Sequence, residues 1–334
     1  MAHNVIPPIE TPGARGLLII GDIHLSSVKP SRRREGYSDS VLGKLSDCLT
    51  IARREKLVPV LLGDIYHRPV EPDESLKARL TELLASSWIT PLCNVGNHDK
   101  AGERLQRCDS LWTLHAANML RIVMNSGPAA LIRVEDGGAS AVIGIGMTPY
   151  GQTIPQKVSE EFRAAADGVI WFTHHDLAFK GTYMKTEPLK EIEGCGIAVN
   201  GHMHHNKPFE ERGGTTWCNF GSLTRTSVDE ATHSPCAMAF LPLQEESFVC
   251  WPIGHEEDAF DLSASLAPVL PRRVGEEAEG FAQMLVDELA SAAARSDSGE
   301  ILKDELLAFL DEGRRPAARE PLLSLLSRAA EAGK

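Results

Sequence analysis

Gly16-Leu17-Leu18-Ile19-Ile20-Gly21-Asp22-Ile23-His24 is an apolar run that stops at a glycine and then presents a carboxylate and an imidazole two residues apart. The same arrangement returns along the chain. Val58 to Leu62 runs into Gly63-Asp64, and Leu92 to Val95 into Gly96-Asn97-His98-Asp99. Val169 to Thr173 meets His174, and Ile197 to Val199 is followed by Gly201-His202-Met203-His204. Short apolar runs bounded by glycine read as buried strands. Ligand side chains at the ends of adjacent strands are expected along one sheet edge, the usual binding edge of α/β folds. In an extended segment residues two apart share a side, so Asp22 and His24, and likewise His202 and His204, are expected to converge.

Working outward, further strands are expected at Ile89–Val95, Ala129–Val134, Ala141–Ile145, Gly168–Phe172, Gly196–Val199 and Thr215–Asn219. Helices are expected from Ser40, with Val41, Leu45, Cys48, Leu49 and Ala52 at helical spacing, and from Asp73, with Leu76, Leu80, Leu83 and Leu84. Alternating strands and helices over the first 255 residues make this an α/β or mixed-sheet domain. Residues 1–15 read as a proline-rich extension, 16–256 as the catalytic domain, and 257–334 as a linker and helical appendage. The appendage carries apolar stripes at Phe281, Leu285 and Leu289, then Ile301 to Leu310, then Leu322 to Ala329.

The chain has 334 residues, 43% hydrophobic and 24% charged, enough to bury a core. No apolar run approaches the ~20 residues of a membrane span, and the start lacks a secretory signal, so a cytoplasmic protein without membrane partners is expected. Seven scattered cysteines without a CxxC pair read as structural thiols, with Cys93, Cys218 and Cys250 in strand-like runs. The net charge of −12 argues against broad phosphate binding, but 17 acidic and 9 basic residues lie from Glu256 onward, leaving 29 and 25 before it. Two divalent cations would cancel that remainder.

The donor set of aspartate, asparagine and imidazole suits two divalent first-row ions. In order and spacing, D-x-H, G-D, G-N-H-D, a lone H and G-H-x-H resemble the hallmark of the calcineurin-like metallophosphoesterase superfamily, from Gly16 to Thr226. The resemblance implies a two-sheet β-sandwich flanked by helices, with a two-metal site at a sheet edge. It implies that Asp22, His24 and His204 hold one metal, that Asn97, His174 and His202 hold the other, and that Asp64 bridges them. His174, which directly follows its strand, is preferred to His175. Manganese is the first expectation, with Fe²⁺ and Zn²⁺ equally compatible with the ligands. Such a pair of ions, about 3.5–4 Å apart, acidifies a bridging water and clamps the oxygens of an in-line displacement. His98 is implied off the metals, assisting the leaving group. Asp99 either orients a neighbour or caps a turn.

The segment Gly63-Asp64-Ile65-Tyr66-His67-Arg68 has histidine where protein phosphatases of the superfamily carry aspartate. In this it resembles the double-strand-break repair nucleases, relatives of bacterial SbcD. That resemblance implies His67 as a second catalytic residue, Arg68 beside the substrate, and DNA exonuclease and endonuclease activity. The alternative is a phosphatase or phosphodiesterase acting on a small nucleotide or cyclic nucleotide. Arg32, Arg33 and Arg34, with Lys29, either track a nucleic-acid backbone or form a solvated charge run. Ser222, in Gly221-Ser222-Leu223-Thr224-Arg225, either helps to bind phosphate or belongs to a turn. Lys180, Tyr183 and Lys185 are weaker candidates. Relative to those nucleases the capping domain is expected to be reduced or absent, and the C-terminal helices are the expected docking element for an SbcC-like SMC-type ATPase. A homodimer is also compatible.

Overall fold

The computed structural model describes residues 8–9, 11–30, 32–34, 36–180 and 186–261. The chain divides into two units, Met1–Leu262 and Ser263–Lys334, and the described residues all belong to the first. The apolar stripes from Phe281 to Ala329, with the expected docking of an ATPase, lie outside them, as do Tyr183 and Lys185. Among the described residues no helix is long and apolar enough to cross a membrane.

The elements run β1 (Pro8–Ile9), β2 (Gly16–Ile20), α1 (Tyr37–Glu55), β3 (Leu57–Leu61), α2 (Glu74–Ala85), β4 (Leu92–Cys93), α3 (Ser110–Ala116) and β5 (Arg121–Ile122). There follow β6 (Gly127–Asp136), β7 (Ala139–Thr148), α4 (Glu160–Ala164), β8 (Gly168–His174), β9 (Ile197–Gly201), β10 (Lys207–Arg212), β11 (Thr215–Asn219), β12 (Cys236–Phe240) and β13 (Phe248–Pro252). They form two mixed sheets, ordered β1-β6-β7-β8-β9-β11-β10 and β13-β12-β2-β3-β4-β5. The α/β sandwich is therefore as the sequence leads one to expect.

Strand alternation builds the layers. Leu17 and Ile19 of β2 point between the sheets, where they join Val58, Val60, Ile145, Phe172 and Val199. Leu18 and Ile20 of the same strand point outward and are covered by Leu45 and Leu49 of α1 and Leu80 of α2. β2 is thus buried on both faces, which is why it reads as an unbroken apolar run. Asp73 caps α2 by accepting the Leu76 amide at 3.1 Å. α1 starts at Tyr37, before Ser40, and the Tyr37 hydroxyl donates to the His24 carbonyl at 2.8 Å.

Some elements differ from expectation. The segment before Gly16 is part of the sandwich: Pro8 and Ile9 pair in parallel with Leu131 and Ile132, and Ala14 is buried between the sheets. Only Leu92–Cys93 of the expected Ile89–Val95 strand is extended. All seven cysteines are free, and Cys250, on the edge strand β13, is exposed rather than buried, because no strand covers that edge among the described residues.

On the outer face of the larger sheet Trp171 lies over Gly146, whose missing Cβ would sit 2.1 Å from the indole ring. The Trp171 Nε1 donates to Thr148 Oγ1 at 2.8 Å. Trp171→Ala would leave both a cavity and a buried hydroxyl with one partner fewer. The expected loss is about 3–5 kcal/mol, read as a lower midpoint in urea unfolding.

Candidate metal centre

The five strand-end motifs come from both sheets. β2, β3 and β4 are parallel neighbours in the smaller sheet, and β8 and β9 are parallel neighbours in the larger one. All five deliver their motifs at C-terminal ends, so the groups meet across the mouth of the sandwich rather than along one edge. Nor is the backbone extended there. His24, Asp64 and His202 have φ of 51°, 50° and 70°, the left-handed region that non-glycine residues seldom occupy. The turns separate His202 from His204: His202 Nδ1 lies 2.9 Å from Asn97 Oδ1, whereas His204 Nε2 lies 3.0 Å from His24 Nε2.

Asp99 holds the loops in place. Its buried carboxylate accepts the amides of Asp64 and Ile65, both at 2.8 Å, of Tyr66 at 3.3 Å and of Gly96 at 2.9 Å. It thus ties the loop after β3 to the loop after β4. Burial and the neighbouring Asp64 carboxylate push its pKa up, while the amides pull it back. Of the two roles open in the sequence, the structure shows Asp99 orienting its neighbours. Gly96 must lack a side chain, since a Cβ would sit 2.0 Å from Asp64 Oδ1. The Asp64 carboxylate then accepts the His98 amide at 2.8 Å and reaches His174 Nε2 at 3.3 Å and His24 Nε2 at 3.6 Å.

The result is a buried floor of Asp22, His24, Asp64 and His174, and a half-buried rim of His67, Asn97, His98, His202 and His204. Three groups have converging donor atoms that could hold metal ions: Asp22, His24 and His204; Asp64, His174 and His202; and His24, His67 and His98. Asn97 Oδ1 joins the second, 3.3 Å from His174 Nε2.

The donor chemistry fits cations. Asp22 Oδ2 is buried without a hydrogen-bond partner, a state that costs a carboxylate heavily unless a positive charge faces it. His202 Nε2 faces Asp176 Oδ1 at 3.1 Å, so Nε2 carries the proton and the Nδ1 lone pair confronts the Asn97 carbonyl oxygen. His204 Nδ1 donates to Glu230 Oε1 at 2.5 Å, so its Nε2 lone pair confronts a ring nitrogen of His24. Acceptor facing acceptor calls for a cation between them.

Charge on the isolated protein tells the same story. Burial depresses the His174 pKa, but Asp64 overrides it and lifts it to about 9. Burial likewise depresses His204, and Glu230 overrides it, again to about 9. Burial raises Glu230, but the bond to His204 outweighs it and brings it down to about 2. Burial holds His24 well below the usual imidazole range.

Two residues in this arrangement carry no signal in the sequence reading. Asp176 follows the His174-His175 pair closely, and Glu230 lies 26 residues beyond His204, at the end of the 3-10 turn Val228–Glu230. Glu230 is buried and also accepts the Thr226 amide at 2.5 Å and the Ser227 hydroxyl at 3.1 Å. The Nδ1 of His174 is oriented by the Leu62 carbonyl at 2.9 Å. His175 turns away, its Nε2 meeting the Gln152 carbonyl at 2.8 Å. Two expected substrate contacts are corrected. Arg33 is buried between the rings of Tyr37 and Phe260, 5.1 and 5.3 Å away, because its backbone pairs with Phe260. Ser222 is buried with its hydroxyl donated to the Thr224 carbonyl, closing a turn. Arg32, Arg34 and Arg68 are exposed.

Oriented imidazoles bind metal more tightly, and losing such a partner typically costs about 10–100-fold in affinity. Glu230→Gln is therefore expected to weaken Mn²⁺ binding by that factor in a chelator competition, with the circular dichroism spectrum unchanged.

No curated protein matches the chain significantly. Among solved structures it is similar to a hypothetical protein from Thermus thermophilus, at 15% identity and a TM-score of 0.37 over 71% of this chain and 99% of that one. It is also similar to a dimetal phosphatase from Danio rerio, at 12% and 0.42 over 73% and 98%. A 5′-nucleotidase precursor from Thermus thermophilus aligns at 11% and 0.40 over 73% and 55%. These likenesses are too distant to bear on substrate. The model of the calcineurin-like phosphoesterase family, however, matches residues 16–206, more than half of the chain and the span holding every strand-end motif. With its two His/Asp groups at the mouth of a two-sheet sandwich, the chain belongs to the calcineurin-like phosphoesterase family.

Proposed function

We propose that this phosphoesterase is a two-metal phosphodiesterase that cuts DNA as an exonuclease and endonuclease. The observation that carries the reading is the pairing of His67 with His98. Their rings stack with centroids 5.3 Å apart and planes 20° from parallel, on the half-buried rim, 5.3 and 4.9 Å from the ring of His24. A phosphodiester needs both a grip on its phosphoryl oxygens and a proton for an alkoxide leaving group. Two imidazoles outside the ligand set answer those needs.

In this reading Asp22, His24 and His204 hold one divalent ion, Asn97, His174 and His202 the other, and Asp64 lies between them. When bound, the ions supply Lewis-acid stabilisation of the phosphoryl charge and lower the pKa of the attacking water. His98 Nδ1 donates to the His67 carbonyl at 2.8 Å, so that in the imidazolium form Nε2 carries the second proton and can deliver it to the departing oxygen. That same bond couples the backbone of the His67 loop to the His98 ring. Asn97 contributes a neutral oxygen, so more net positive charge faces the phosphodiester. The exposed guanidinium groups of Arg68, Arg32 and Arg34 are the candidate contacts for backbone phosphates in this reading.

The discriminating assay presents linear DNA, circular DNA, cyclic nucleotides and p-nitrophenyl esters, each with Mn²⁺ and with EDTA. Both DNA forms are expected to be degraded with Mn²⁺ alone. DNA left whole while a cyclic nucleotide is hydrolysed would overturn the nuclease reading in favour of a small-nucleotide phosphodiesterase. His98→Ala should lower kcat by about 10²–10⁴-fold, the range of general acid catalysis, while metal content by elemental analysis stays unchanged. Loss of metal in that variant would make His98 a ligand instead. His67→Gln should slow digestion of duplex ends more than it reduces metal occupancy, and unchanged digestion would remove His67 from the site.

A further inference from the structure

Behind the metal centre three cations are buried together. Arg33, Lys44 and Arg225 are 4%, 3% and 2% exposed. Arg33 Nε and Nη1, Lys44 Nζ and Arg225 Nε are buried without a hydrogen-bond partner, while the hydroxyl of Ser40 turns to the Glu256 carboxylate. Lys44, Ser40, Asp47, His255 and Glu256 line an open cavity of about 360 Å³. The described carboxylates near these cations are Glu256 and Glu230, with Asp47 also on the cavity lining. Glu256 Oε2 stands 4.0 Å from Lys44 Nζ, beyond hydrogen-bond reach, and Glu256 is half exposed. Glu230 faces Arg225 but is already bonded to His204. Burial holds the Lys44 pKa down to about 8; Glu256 opposes this, and Arg33 and Arg225 add to it.

Buried cations with unused donors are costly unless an anion joins them. We infer that the cavity floored by Lys44 and Ser40, with Arg33 and Arg225 behind it, is a phosphate-binding site separate from the metal centre. A carboxylate is the poorer occupant, since Glu256, already at the mouth and turned to the Ser40 hydroxyl, leaves Lys44 Nζ without a hydrogen bond. A tetrahedral oxyanion offers more acceptor oxygens to the Lys44 ammonium and the Ser40 hydroxyl, while Arg33 and Arg225, which do not line the cavity, contribute only their charge. The site backs onto the catalytic loops. Arg33 stacks on Tyr37, whose hydroxyl holds the His24 carbonyl, and Arg225 Nη1 donates at 2.9 Å to the carbonyl of Ala231, next to Glu230. Arg225 Nη2 donates to the carbonyl of Glu256, tying the cavity mouth to the same guanidinium.

The test uses the full-length protein stripped of metal with EDTA, so that it stands apart from the nuclease reading. Its unfolding midpoint is followed as inorganic phosphate replaces chloride at constant ionic strength. A saturable rise is expected in the wild type and in Asp64→Asn. Lys44→Met should weaken phosphate binding about tenfold or more, the worth of one charge-assisted bond. Glu256→Gln should tighten it by removing the competing carboxylate. No rise in the wild type, an equal rise in Lys44→Met, or a rise lost in Asp64→Asn but kept in Lys44→Met would each overturn the site. If Lys44→Met does not fold, Ser40→Ala and Glu256→Gln decide, and unchanged affinity in both overturns it. A nucleoside 5′-monophosphate run in parallel separates the sources. Affinity equal to or above that of inorganic phosphate supports a site that reads the phosphate group, and no binding of either overturns it.

Discussion

One carboxylate makes the centre possible. Asp99 gathers four amides from two loops that belong to different strands, and that gathering sets where Asp64 and His98 lie. The loops could not otherwise approach so closely, because Asp64 sits where a Cβ on Gly96 would be. A buried acid beside another buried acid is unfavourable by itself. It persists here because backbone donors satisfy one carboxylate and imidazoles surround the other.

Around that clamp, outer partners settle which nitrogen of each imidazole is presented. The Leu62 carbonyl, Asp176 and Glu230 take one ring nitrogen each from His174, His202 and His204, and the other nitrogen then points inward. This leaves lone pairs and a buried carboxylate oxygen crowded together with too few donors. Divalent ions would relieve that crowding. Strain in the left-handed backbone at His24, Asp64 and His202 is borne by the same network.

The segment from Arg32 to Arg34 shows how position in a fold redirects chemistry. Its backbone bonds with Ala259 to Asp261, and this pairing draws Arg33 inside while Arg32 and Arg34 stay in solvent. Three consecutive arginines thus serve different ends. One of them helps to form a buried positive cluster behind the metal centre rather than a track for nucleic acid.

Much was legible from residue order alone. Apolar runs such as Leu17–Ile20 marked β2, and helical spacing marked α1 and α2, because burial of one face leaves a period in the chain. The strand-end motifs named Asp22, Asp64, Asn97, His174, His202 and His204, since ligand chemistry is a property of side chains next to a turn. Short strands such as β12 and β13 escaped because pairing, of β12 with β2 and of β13 with β12, rather than local propensity makes them strands. Glu230 and Asp176 escaped because a carboxylate in a loop has no meaning until a ring nitrogen faces it. Sequence determined which groups were available for the site and roughly where the chain would turn. Tertiary structure alone decided that the motifs meet across two sheets, that His202 and His204 part company, and that Arg33 and Ser222 face inward, because each depends on contacts between residues far apart in the chain.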